Sequence, residues 1–179
     1  MPFPQPILTY PATATACALV ASVFDVKSRR IPNFLTFPAF VLGLTMHLIL
    51  GGWRQLLSAL AAGLICGIVF LLFYIAGGMG AGDVKLITAV GCIAGMSHIA
   101  YILVLTAISG GVMAVALALY KGKFQQTVMN VGELASHHRQ EGLQPHPDLN
   151  LENAQTLRLP YALAIAGGSI LTLYFTMQG

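Results

Sequence analysis

The chain has 179 residues, 56% of them hydrophobic and only 8% charged, with a net charge of +3 and a mean hydropathy of +0.77. Soluble domains carry about 25% charged residues, so this chain has too few to cover a water-facing surface. That excludes a soluble globular enzyme and indicates an all-α, polytopic transmembrane helical bundle, because barrel strands would alternate in polarity and these runs are continuously apolar. In such a protein Lys and Arg report topology, so the positive charge is no argument for a nucleic-acid partner.

Six spans follow in chain order. The opening segment Met1-Pro2-Phe3-Pro4 lacks the basic stretch of a cleaved signal peptide, so the first run, about Ile7 to Phe24, is expected to be retained as a span. Asp25 follows it, in Asp25-Val26-Lys27-Ser28-Arg29-Arg30-Ile31-Pro32-Asn33. Pro32 fixes its own φ and disfavours helix at Ile31, which predicts a break. The second span runs from about Phe34 to Leu50. Gly51-Gly52 closes it, and Trp53 is expected in that turn at the interface.

The third span, about Leu56 to Ala76, is free of charge and near the ~20 residues a crossing needs. Then comes Gly77-Gly78-Met79-Gly80-Ala81-Gly82-Asp83-Val84-Lys85-Leu86. The fourth span, about Val84 to Met96, is short for a full crossing and requires Asp83 at or below the membrane surface, or a thinned bilayer. Ser97-His98 turns the chain into the fifth span, about Ile99 to Tyr120. Residues 121–158 form a polar loop, expected on the cytoplasmic side of a single 1–179 domain. Within it Phe124, Val128, Val131 and Leu134 recur at helical spacing, which predicts an amphipathic helix in the first half. The sixth span, Leu159 to Met177, opens on Pro160-Tyr161, either a plain helix start or a closure of the bundle beside the functional site.

The loops after spans one, three and five, with their borders, hold Lys27, Arg29, Arg30, Lys85, Lys121, Lys123, Arg139 and Arg158, and the opposite side holds only Arg54. This asymmetry places both termini on the non-cytoplasmic side and faces Asp25 and Asp83 to the cytoplasm. The other acids, Glu133, Glu141, Asp148 and Glu152, lie in the polar loop. Two carboxyls at one depth on different helices can converge within a bundle. They then share a proton, the state in which one activates water and the other polarises a carbonyl. The plainer reading stands beside it: Asp25 balances nearby cations and Asp83 caps a helix. His137, His138 and His146 fit no helix-borne zinc spacing, and Cys17, Cys66 and Cys92 sit singly in apolar runs as packing residues. No metal or cofactor is expected.

Gly80-Ala81-Gly82-Asp83 matches the Gly-x-Gly-Asp motif of intramembrane aspartyl proteases. Its extension through Val84-Lys85-Leu86 resembles that of the type IV prepilin leader peptidase family. Asp25 with Arg30-Ile31-Pro32-Asn33 and Leu35-Thr36 resembles the first-aspartate region of the same family, and the resemblance covers about Phe24 to Tyr120. It implies a peptidase of the bacterial inner membrane that removes the short basic leader of prepilins at the cytoplasmic face. Asp25 and Asp83 are then the catalytic pair, with Gly80, Gly82, Lys85, Arg30, Pro32 and Asn33 positioning substrate or loop. Larger members add a tetracysteine region and methylate the new N-terminus. With no Cys pair, this chain resembles the short branch of tight-adherence (Flp-type) pilus systems, which implies no methyltransferase activity. The rival readings are a signal-peptide-clearing Gly-x-Gly-Asp protease, and a small transporter or pilus assembly subunit that uses the two acids for protons or cations. The first pairs its second aspartate with a Tyr-Asp on the preceding span, whereas Asp25 follows Phe24 and lies three spans earlier.

Overall fold

The computed structural model describes residues 6–142, 144 and 159–178, so His146, Asp148, Glu152 and Arg158 lie outside the described residues. Among the described residues there are six helices and no strand. They are α1 (Pro6–Ser28), α2 (Asn33–Ile75), α3 (Ala81–Ala94), α4 (Ile99–Tyr120), α5 (Phe124–Glu141) and α6 (Tyr161–Gln178).

The second and third apolar runs are one assigned helix, α2, broken at Gly52, where φ is 72° and ψ is −169°. That region is essentially closed to residues with a Cβ. Residues 43 and 63 of an unbroken helix would lie ~30 Å apart. Instead Gly43 packs against Ile93, and Gly63 against Thr88 and Cys92, on one short stretch of α3. The chain therefore reverses at Gly52, and the two halves of α2 lie against α3 as a hairpin. The reversal is tighter than the expected turn, so Trp53 is the first residue of the second half rather than a loop residue, and it is exposed.

α3 is the centre of the molecule. Leu86, Ile87, Ala89, Val90, Cys92 and Ile93 have no exposed surface. At 14 residues it is about 21 Å long, short of the ~30 Å hydrocarbon core. Its neighbours, rather than lipid, cover it. The approach to α2 is close because Gly91 has no side chain: a Cβ there would lie 2.6 Å from Cys66 Sγ. The packing order is α2, α3, α1, α6, α4, each helix resting mainly on the next. α1 thus lies between α3 and α6, and this order builds the site.

The interior is small and polar for a hydrophobic chain. Thr15, Ser22, Thr36, Ser169 and Thr172 are buried, while Leu64, Ile68 and Leu72 of α2 and Val104, Ile108 and Val112 of α4 are exposed. A soluble protein would bury the second set; apolar surface on this scale marks contact with lipid or another protein. Two helices, Asn33–Ile75 and Ile99–Tyr120, are long and apolar enough to cross a membrane. α5 extends through Glu141, beyond the first half of the polar loop, with Phe124, Val128 and Val131 exposed.

Candidate active site

Asp25 is carried on the last turn of α1, which runs to Ser28, about one turn beyond the Phe24 end expected from the apolar run. The helix stops where Arg29 takes a left-handed φ of 51° and its N–H donates to the Asp25 carbonyl at 2.8 Å. Ser28 Oγ lies 2.8 Å from the Phe24 carbonyl and 3.1 Å from that of Arg30, bracing the turn. Pro32 is extended, and its carbonyl accepts the N–H groups of Leu35 and Thr36 at 3.1 and 3.4 Å, which starts α2. The Phe24 and Phe34 rings meet edge to face across the turn, 5.8 Å apart.

Asp83 is not the cap of α3. Gly80 holds that place in extended conformation, and Asp83, three residues on, turns its carboxyl back so that the Gly80 N–H donates to Oδ2 at 3.2 Å. A Cβ on Gly80 would lie 3.2 Å from the same oxygen, which gives this glycine a steric role. A Cβ on Gly82 would lie 3.2 Å from Ile31 Cβ. The two sequence motifs are thus in direct contact. Lys85 Nζ, which donates to Asn33 Oδ1 at 3.0 Å, joins them again.

Both carboxyls lie at the ends of the apolar runs, outside the two helices long and apolar enough to cross a membrane. Burial raises Asp25 above the ordinary carboxylate range, against the pull of the Ala162 N–H, which donates to its Oδ2 at 3.3 Å. Asp83 is only 9% exposed. Burial first, then the negative charge of Asp25, push it up to about 6, against the backbone N–H groups of Gly80 and of Asp83 itself. The two acids are therefore electrostatically coupled across the α1–α3 contact, and Asp83 is the more easily protonated.

Of the residues expected at the site, Asp25, Asp83, Gly80, Gly82, Lys85, Pro32 and Asn33 occupy one corner of the fold. Arg30 borders it, exposed, with no side-chain partner among the described residues. His137 lies apart on α5 with Nδ1 3.8 Å from Glu141 Oε2. Among the described residues no three His, Cys, Asp or Glu cluster as metal ligands would. Ala162 escaped the sequence reading because a backbone N–H has no residue signature. So did an open groove of about 490 Å3 between α2 and α3, lined by Asn33, Thr36, Phe37, Phe40, Val84, Lys85 and Thr88. Its residues come from two helices whose pairing only the fold reveals.

The profile of the type IV leader peptidase family matches residues 12–115, well over half of the 179-residue chain and inclusive of both aspartates. The chain belongs to the type IV leader peptidase family. It is similar to a prepilin leader peptidase/N-methyltransferase of Vibrio cholerae serotype O1, 33% identical over 96 residues that cover 48% of this chain and 36% of that protein. A protein of the same name from Neisseria gonorrhoeae is 32% identical over 117 residues, 61% of this chain and 40% of that one. The chain thus spans about two fifths of the length of these curated relatives. No solved structure matches it.

Proposed function

We propose that this family member is a membrane aspartyl endopeptidase that cleaves the basic leader from prepilin-like proteins at the cytoplasmic membrane face, with Asp25 and Asp83 as its catalytic pair. The observation that carries the reading is the coupling of two partly desolvated carboxyls on neighbouring helices, one held near 6 by burial and by the other's charge. Such a pair holds one proton between them under mildly acidic conditions, up to about pH 6. The ionised acid takes a proton from water as the water oxygen attacks the scissile carbonyl carbon, and the protonated acid gives its proton to the carbonyl oxygen. Collapse of the resulting diol breaks the C–N bond and returns each acid to its starting state, with no acyl-enzyme.

A peptide bond within a helix is shielded by its own hydrogen bonds, so the substrate must be extended where it is cut. Gly80, which sets no Cβ against the Asp83 carboxyl, supports backbone approach, and the apolar groove that Val84 and Lys85 help to line supports accommodation of the adjoining segment. The positive-inside asymmetry supports a six-span inner-membrane topology, with both termini outside and the pair facing the cytoplasm.

Reconstituted into proteoliposomes, the chain should cut a synthetic prepilin-type peptide once, between its basic leader and its apolar segment, as read by product masses. Cleavage of signal-peptide remnants instead, or no cleavage together with proton or cation flux, would contradict this reading.

A further inference from the structure

Burial and the Asp25 charge raise Asp83, and to the resulting difference between the two carboxyls a group outside both motifs adds a contribution on Asp25. α6 begins at Tyr161, directly after Pro160. The first N–H groups of a helix have no acceptor within it. In this turn the Leu163 N–H finds the Pro160 carbonyl at 3.0 Å. The Ala162 N–H goes instead to Oδ2 of Asp25, 137 residues away in sequence, at 3.3 Å. Asp25 therefore caps a helix remote from its own, where the helix dipole also favours negative charge.

α6 is held in place from two sides, about two turns beyond its start. Thr15 Oγ1 lies 3.0 Å from the Ser169 carbonyl, tying α6 to α1. Gly168 lets the α6 backbone rest directly on Thr106 of α4, where any Cβ would collide. Tyr161, in the first turn, lies in the electrostatic field of Asp83. The turn thus adjoins both acids, but it gives a backbone donor to Asp25, whereas the donors of Asp83 come from its own loop. The charged side chains nearest in sequence to the pair, Lys27, Arg29, Arg30 and Lys85, are all exposed, and Lys85 is engaged by Asn33.

We propose that the Ala162 N–H is a positioning group that divides the labour of the pair, holding Asp25 as the ionised, water-activating member and leaving the proton on Asp83. The inference rests on the aspartyl-peptidase reading above. In the attack, water loses a proton to Asp25 as its oxygen bonds to the carbonyl carbon, and the Asp83 proton moves to the carbonyl oxygen. In the collapse, Asp25 passes its proton to the leaving nitrogen and Asp83 recovers one from the diol.

The test replaces the Ala162 amide by an ester, through incorporation of lactic acid at that position in the full chain, which removes the N–H and keeps the side chain. The same replacement at Leu163, by its α-hydroxy analogue, damages the same turn without touching Asp25. On a prepilin-type peptide, the Ala162 ester should move the acid limb of kcat/KM upward on the order of half to one pH unit, with KM unchanged. The Leu163 ester should leave that limb in place. Carboxyl 13C NMR of Asp-labelled protein, with three Asp resonances to assign, should show Asp25 titrating higher in the Ala162 ester alone. An unmoved Asp25 titration, or equal shifts in both esters, overturns the inference while wild-type cleavage leaves the peptidase reading intact. Failure of the wild-type protein to cleave overturns that reading, independently of the NMR result.

Discussion

Asp83 sits three residues into α3 with its carboxyl folded back on the Gly80 N–H, a place where a carboxylate is ordinarily comfortable. Burial and the Asp25 charge reverse that preference and raise it from 3.8 to about 6. A carboxyl raised on folding contributes stability that is intact below its unfolded value and is lost as pH rises through the folded one. At about 1.4 kcal/mol per unit, the cost at neutral pH is on the order of 3 kcal/mol. Thermal unfolding in detergent should therefore show stability falling between about pH 4 and 6. Asp83→Asn should flatten that fall and raise the melting temperature at pH 7; an unchanged slope would contradict the assigned burial. The same proton predicts that kcat/KM declines on its alkaline side near pH 6, as Asp83 ionises. Gly80→Ala is the matching steric probe. Its backbone angles suit alanine, but the new Cβ would press on Asp83 Oδ2, and displacement of a reacting group by about 1 Å can lower kcat as much as 100-fold. A wild-type kcat in that variant would show that the carboxyl has room to spare.

Two elements carry the site, and each had a different visibility in the sequence. The break after α1 is legible because Pro32 restricts both itself and Ile31, and the structure puts the end of α1 and the start of α2 on either side of it. The reversal in α2 is only half legible. Gly51-Gly52 marks a turn, but that a single residue makes it depends on backbone angles that no composition reveals. The region occupied by Gly52 costs a residue with a Cβ roughly 1–3 kcal/mol, and nothing lies within 4 Å of the added atom. Gly52→Ala should thus lower the melting temperature through backbone strain alone, and an unchanged value would argue against the reversal. Asp83 as third residue rather than cap was hidden for a related reason. Either position satisfies a helix start, and the glycine before it decides. At the α2–α3 seam, Lys85→Met and Asn33→Leu should each destabilise by about 0.5 kcal/mol, and the double variant by no more than either alone. Full additivity in that cycle would mean the two residues do not meet.

At the scale of the whole molecule, scarcity made the site readable. With six acids in the chain and four in one polar loop, Asp25 and Asp83 stand out before any packing is known. The apolar runs delimit the helices to within a few residues, because a continuous hydrophobic stretch has few other folds open to it. What the runs do not give is packing order. That α6 returns to lie beside α1, and so supplies Ala162, follows from Thr15 meeting Ser169 and from Gly168 admitting Thr106, contacts between residues remote in sequence. The outward apolar and inward Thr- and Ser-rich surfaces suit a bilayer, and topology reporters should place the C-terminus outside and Lys123 inside. The most direct test of the account is leader cleavage by Asp25→Asn and Asp83→Asn, each purified, shown to be folded and assayed in proteoliposomes against the wild-type rate. Removal of either acid should lower kcat/KM on the order of 100- to 10,000-fold; a wild-type rate in either variant would contradict the two-aspartate mechanism.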